Sequence, residues 1–427
     1  MAGEILFVGD IHLGRRPRRL PDDLAEHGIS PGELTPAAAF ANVVRYAVDA
    51  GVAAVVLAGD VVQSDNARFE AYGQLQRGVT TLTRHGIAVY AVAGNHDVEA
   101  LPRLADAIDG FELVGRGGRW EERIVRAGGR PVARLLGWSF ARAEQTSSPL
   151  AQSDMPRFAA ADGLPRLGVL HCDLLSSASR HAPVTVGELE RAPVDGWLLG
   201  HVHQPSALGG ARPIGYLGSL VGLDPSETGR HGPWLLRIGD DATIAVEPLS
   251  LGPLRWESLD VPVDGLDDAD AIECAIREAM TAAAAGDQTR VLGCRIRLTG
   301  ATRRIDAARR IESGGIERLR LQHGSVLCFV ERLINAARPE IDLQSLAVQD
   351  DPPGILATKL LALERGDDEA RSLIQRARRE LQRSLDDRRW LRLPATPPDD
   401  DALRALLIDA GRLALGELLG QSAERRR

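Results

Sequence analysis

Five short apolar runs, each the length of one buried strand, lead within two residues to a glycine or a polar residue able to bind metal. No other feature of the 427-residue chain constrains the fold as strongly. The runs are 4–8, 53–57, 87–92, 166–170 and 197–199, and a sixth, 132–138, lacks the polar ending. Their length and their Gly or polar boundaries predict strands. Between the first two, Thr35 reads as an N-cap and Pro36 as the first helical residue. Phe40, Val43, Val44, Ala47 and Val48 then recur at helical spacing. A second helix is predicted over 68–84. Strands alternating with helices predict a layered α/β domain.

The remaining punctuation divides the chain. Segments 15–36 and 143–165 read as loops. Short β elements follow at 213–217, 233–238 and 243–246, with Asp240-Asp241 as a hairpin turn. From about Pro253 the pattern is strand 256–261, helix 269–285, strand 291–298, helix 303–313, then a final strand and turn over 318–333. The acidic, Pro-containing stretch 349–353 marks a further boundary. Helices are predicted beyond it at 355–364, 369–385 and 402–419. In the last, Leu403, Leu406, Leu407, Ala410, Leu413 and Ala414 form an apolar stripe. The expected domains are therefore 1–252 (catalytic), 253–348 (a small α+β cap) and 349–427 (helical).

Composition excludes several classes. At 44% hydrophobic and 26% charged, the chain can bury a core. A net charge of −8 argues against coating nucleic acid by bulk charge, so any such contact must use local basic patches or metal ions. The four cysteines, Cys172, Cys274, Cys294 and Cys328, have no CxxC spacing. No apolar stretch is long enough to cross a membrane, and no secretory pattern opens the chain, so a cytoplasmic location is expected. Trp390 and the cysteines read as packing residues.

The chemistry lies where the apolar runs end. The segments are Gly9-Asp10-Ile11-His12, Gly59-Asp60, Gly94-Asn95-His96-Asp97, Leu170-His171 and Gly200-His201-Val202-His203. Each alone has an ordinary explanation: a surface turn, a helix N-cap, a packed histidine. Their recurrence at successive strand ends does not. Strand ends of an open α/β sheet point into one crevice, and glycine permits close backbone approach there. Residues two apart in extended backbone face one side, so Asp10 with His12, and His201 with His203, should reach one site. Carboxylate, imidazole and amide donors without thiolate suit Mn, Fe or Zn. Two ions need a bridging carboxylate, for which Asp60 is the candidate.

In this order the five blocks resemble the calcineurin-like metallophosphoesterase superfamily. The resemblance implies a four-layer αββα sandwich and two divalent ions, manganese being expected and iron or zinc possible. It implies Asp10, His12, Asp60 and His203 on one ion and Asp60, Asn95, His171 and His201 on the other. His96 would be the catalytic non-ligand histidine, and Asp97 a supporting residue. Within the superfamily the chain is similar to SbcD-type DNA repair exonucleases and their YhaO-like relatives. The shared stretches are Phe7–Gly14, the Gly94–Asp97 block, and Gly215–Glu227 running on into Gly229-Arg230-His231-Gly232-Pro233. This implies DNA as substrate, an SbcC-like coiled-coil ATPase docked on the C-terminal helices, and a homodimer. One position departs from the SbcD-type pattern: the second catalytic histidine, three residues after the bridging Asp, is here Gln63, which cannot donate a proton as an imidazolium does. Gln63 is grouped with Arg15 and Arg16 as substrate-contacting residues.

Overall fold

The computed structural model describes residues 3–63, 68–156, 162–174, 178–266, 268–286, 288–385 and 397–424. Trp390 and the middle of the predicted loop 143–165 lie outside them.

Alternation along the strands builds the layers. Strand β1 (Gly3–Val8) is followed by α1 (Pro36–Ala50), β2 (Ala54–Ala58), α2 (Arg68–Arg84), β3 (Ala88–Val92), α3 (Ala100–Ala107) and β4 (Phe111–Leu113). Strands β5 (Trp120–Ala127), β6 (Arg130–Trp138) and β7 (Arg166–His171) come next, then α4 (Val186–Arg191), β8 (Gly196–Gly200), β9 (Ile214–Tyr216), β10 (Trp234–Ile238) and β11 (Ile244–Pro248). One sheet runs β11-β10-β1-β2-β3-β4 and the other β5-β6-β7-β8-β9. In β1, Leu6 and Val8 join Phe40, Val43 and Leu75 of α1 and α2 in one core. Ile5 and Phe7 join Ala133, Leu135, Val169 and Leu198 of the second sheet in another. The outer face of that sheet carries Trp138, Leu170 and Leu199 against Leu189 of α4. Period-two burial on both faces of both sheets yields the helix–sheet–sheet–helix order. Strands β1, β2 and β3 are mutually parallel, as are β6, β7, β8 and β9. The predicted ligand segments therefore leave the same ends of neighbouring strands.

Two expectations are corrected here. Segment 15–36 is not plain loop. It contains 3-10 turns at Asp22–His27 and Pro31–Leu34, the second closed by a reciprocal Ser30–Glu33 cap. Strand β5 escaped the hydrophobic pattern because much of this edge strand is only half-buried and it carries Glu121, Glu122 and Arg123.

The chain divides into two compact units. One comprises Met1–Ser258, Met280–Arg295 and Glu317–Arg332, and the other Leu259–Ala279, Ile296–Ile316 and Leu333–Arg427. The later elements are β12 (Leu254–Pro262), α5 (Ala269–Ala284), β13 (Val291–Thr299), β14 (Ala301–Thr302), α6 (Ile305–Ser313), β15 (Arg320–His323), β16 (Val326–Asn335) and β17 (Arg338–Pro339). They include a four-stranded sheet of order β12-β13-β16-β15. Helices α7 (Leu343–Ala347), α8 (Pro352–Arg365), α9 (Asp368–Leu385) and α10 (Asp400–Glu424) follow. Leu343, Leu360, Leu363, Ile374, Leu403 and Leu415 form their core. The predicted stripe on α10 is divided: Leu403 is buried, whereas Leu406 and Leu413 are 60% and 58% exposed. Burial instead favours the face bearing Leu403 and Leu415, because α8 and α9 pack there. No helix among the described residues is long and apolar enough to cross a membrane.

Candidate metal centre

Backbone geometry at three strand ends departs from extended structure. His12, Asp60 and His201 have φ of 53°, 49° and 109°, a region that side chains with a Cβ rarely occupy. Such strain persists where surrounding bonds over-determine it. Ile11 N and His12 N both donate to Asp60 O at 3.1 and 2.9 Å, locking the β1 and β2 ends together. His201 N donates to both oxygens of Asp10, at 3.2 and 3.1 Å. Asp97 accepts from Val61 N at 2.7 Å and Gly94 N at 2.8 Å, tying the β2 end to the β3 end. Gly94 is obligatory: a Cβ there would stand 2.2 Å from Asp60 Oδ1.

The side chains converge in two overlapping groups, Asp10–His12–His203 and Asp10–Asp60–His171, each able to offer ligand atoms within 4.8 Å of one another. Asp60 Oδ2 stands 3.8 Å from His12 Nε2 and 3.5 Å from His171 Nε2, between the two histidines. Asn95 Oδ1 is 3.1 Å from His171 Nε2. Asp10, His12, Asp60, Asp97 and His171 are all buried.

His201 and His203 both reach the centre, by a different backbone path from the one expected. They do not project together from extended backbone. The left-handed turn at His201 sends its ring toward His171, with centroids 5.2 Å apart, while His203 faces His12 at 5.0 Å. Asp10 and His12 do meet, through the same kind of turn. His96 is exposed at the rim, 5.6 Å from His12 between ring centroids, and its backbone N donates to Asp60 Oδ1 at 3.0 Å. Arg15 is half-buried, with its N bonded to His12 O at 3.0 Å. Arg16 is exposed, and no described hydrogen bond joins it to the group. Gln63 N donates to Leu13 O at 3.1 Å, but its Oε1 is buried without a hydrogen-bond partner.

Hydrogen bonding tests whether these donors suit cations. His171 Nδ1 donates to Ala58 O at 3.1 Å, which turns Nε2 toward two acceptors, Asn95 Oδ1 and Asp60 Oδ2. His203 Nδ1 donates to Glu227 Oε1 at 2.8 Å, which turns its Nε2 toward His12 Nε2 at 3.0 Å. His12 Nδ1 is buried with no partner. His12 Nε2 and His203 Nε2 face each other at 3.0 Å beside the Asp10 and Asp60 carboxylates while His12 Nδ1 has no partner, and convergent carboxylate and imidazole atoms of this kind fit a divalent metal. Burial, then the Asp60 charge, pushes Asp97 up to about 7. Burial likewise raises Asp10. It pulls His12 down to about 3, and His201 to about 4 with help from the charges of His171 and His181. At Asp60 the burial penalty is outweighed by His171 and His12, which hold it below the usual carboxylate range.

Two residues escaped the sequence reading. Glu227 orients His203, and its other oxygen accepts from Leu223 N at 2.9 Å and Ser219 Oγ at 3.3 Å. The signal was present, since Glu227 opens the shared Glu-X-Gly stretch. His181 packs 5.1 Å from His201 between ring centroids, and no strand-end motif marks it.

Parallel strand ends supplying paired carboxylate and histidine groups define a metal-dependent phosphoesterase class. Residues 3–205 match the family model of the calcineurin-like phosphoesterases, and residues 256–338 match the middle domain of metallophosphoesterase YhaO. The chain belongs to the calcineurin-like metallophosphoesterase superfamily, in its YhaO-like branch. Among curated proteins it is similar to the uncharacterized metallophosphoesterase YhaO of Bacillus subtilis (strain 168), 29% identical over 237 residues. That match covers 52% of this chain and 55% of the relative, so the chain spans about half the relative's length. Similar solved structures include a dimetal phosphatase from Danio rerio, at 13% identity and TM-score 0.38, covering 58% of this chain and 96% of that one. A protein from Thermus thermophilus matches at 12% identity and TM-score 0.33, covering 58% and 99%.

Proposed function

We propose that this chain is a two-metal phosphodiesterase acting on DNA in the manner of the SbcD-type nucleases, with manganese as the working metal. The observation that carries the reading is the placement of Asp60 between His12 and His171, each of which turns its Nε2 toward it. Asp10, His12 and His203 would hold one ion and Asn95, His171 and His201 the other, with Asp60 shared. Two cations held there would supply Lewis acidity toward a phosphoryl group and a nucleophile at neutral pH.

The chain's own residues do the rest. Ala58 O and Glu227 hold His171 and His203 in the ligating tautomer. Asp97 clamps the loops that present Asp60 and Asn95. His96 is the one exposed histidine of the strand-end motifs, and its backbone is fixed to Asp60. Its ring is free to hold a proton or a hydrogen bond at the leaving oxygen. Arg15 adds positive charge beside His12 and His203 for a phosphate of the substrate. Exposed Leu406 and Leu413 on α10 support docking of a coiled-coil ATPase there. Cys172, Cys294 and Cys328 are buried outside any disulfide, which accords with a cytoplasmic setting.

The test is Mn²⁺-dependent cleavage of single- and double-stranded DNA by the purified protein, beside His96→Ala and a chelator. Cleavage lost in both controls supports a nuclease that tolerates Gln63. Two ions bound per chain without DNA cleavage, but with turnover of a phosphomonoester, would redirect the reading to another phosphoesterase.

A further inference from the structure

A second positively charged feature lies beside the metal centre and plays no part in holding the ions. A cavity of about 1240 Å³ opens among the 14–35 segment, α1 and α2. Arg15, Arg16, Arg19, Arg45 and Arg77 line it, against only Asp22 and Asp49. None of the five arginines has a carboxylate within ion-pair distance among the described residues. Among the described residues Arg45 bonds only Asn42 Oδ1, at 2.8 Å. Some exposed arginines elsewhere are paired, as in Arg116–Asp106, Arg297–Asp260 and Arg338–Asp409, and others, such as Arg84 and Arg130, stand singly among the described residues; the groove differs in gathering five around one cavity. In a chain of net charge −8, five unpaired guanidiniums around one cavity are a strong local departure.

We infer that this groove is a binding track for single-stranded nucleic acid, leading phosphates away from the reacting one. The inference rests on the phosphodiesterase reading above. Continuity supplies the first argument: Gly14 and Arg15 line the groove, and Arg15 N bonds His12 O at 3.0 Å. Size supplies the second, since the cavity exceeds the ~300–1,000 Å³ that encloses a small ligand. Shape supplies the third. A concave cleft between a loop and two helices can follow one flexible backbone, whereas a duplex presents its phosphates on a convex surface. Arg45 and Arg77 are borne on helices α1 and α2, which fix where their side chains leave the backbone along the groove.

The test uses the Mn²⁺-loaded full chain with fluorescent phosphorothioate oligothymidylates, which resist hydrolysis, of about 5 and 20 nucleotides. Arg45→Gln/Arg77→Gln is compared with wild type, with Arg45→Lys/Arg77→Lys as the charge-keeping control. The longer strand should bind wild type more tightly than the shorter. The Gln variant should lower the slope of log affinity against log salt by about 1.4, two phosphate contacts at ~0.7 each. The Lys variant should restore the slope, and turnover of bis(p-nitrophenyl) phosphate should not change. An unchanged slope in a Gln variant that melts like wild type would overturn the groove. So would duplex competing as well as single strand. If wild type fails to hydrolyse bis(p-nitrophenyl) phosphate, the phosphodiesterase reading falls, while the binding arm still decides the groove.

Discussion

Replacing Glu227 with Gln removes a charge and almost no volume, yet the surrounding hydrogen bonds make the consequence specific. Oε2 accepts from the backbone Leu223 N at 2.9 Å, a donor that cannot reverse. The new amide must therefore place its oxygen toward Leu223 and its NH₂ toward His203 Nδ1, now 2.8 Å from Oε1. An NH₂ facing Nδ1 requires that nitrogen to accept, so the ring proton moves to Nε2, the atom that faces His12 Nε2 at 3.0 Å. His203 then presents a proton where a ligand lone pair is needed. Loss of such an orienting carboxylate costs about 10–100-fold in metal affinity, or about 1.4–2.8 kcal/mol. Calorimetric Mn²⁺ titration should show one weakened and one unchanged ion. Glu227→Asp, which keeps the charge, should fall between. Wild-type affinity for both ions in Glu227→Gln would refute the argument that the tautomer of His203 is held by Glu227.

Three further outcomes are expected. Gly94→Ala places a Cβ 2.2 Å from Asp60 Oδ1, so overpacking should destabilise the fold by about 1–3 kcal/mol; bound metal, read by elemental analysis, should fall more than that loss explains. Stabilisation by Mn²⁺ should grow from about pH 5 to about pH 8. Burial raises Asp97 to about 7 and raises Asp10 in the fold, so the cation-free stability these two groups contribute is full below the unfolded aspartate value and is lost as pH rises through about 7, whereas cations favour the ionised forms. Melting curves at the two pH values check this, and an equal shift at both would contradict it. Leu360→Ala, at 1% exposure in the core of the C-terminal helices, should cost about 2–5 kcal/mol by denaturant titration while Mn²⁺ binding is retained.

Much of the site was legible because its determinants are local. A buried parallel strand needs a run of apolar residues, and a ligand that must approach another backbone needs a glycine before it. Gly9, Gly59, Gly94 and Gly200 therefore mark strand ends in the sequence, with Asp10, Asp60, Asn95 and His201 directly after them. Alternating strand and helix patterns likewise announce layered sheets, since period-two burial is a property of each strand alone. The sequence by itself thus determined the superfamily, the strand ends and the chemical type of the donors.

Tertiary structure decided which donors meet and how. Simple strand alternation would have sent His201 and His203 the same way, but the positive φ at His201 parts them, and His201 N in that conformation bonds Asp10, 191 positions away. Glu227 reaches His203 across 24 positions, and His181 reaches His201 from a loop without a motif. On α10, several faces were apolar enough to be buried, and packing by α8 and α9 chose the one bearing Leu403 and Leu415 over Leu406 and Leu413. The unpaired arginines of the groove become a group only when α1 and α2 bring Arg45 and Arg77 beside Arg15. In each case the deciding energy is a contact between segments far apart in the chain, and local pattern carries no record of it.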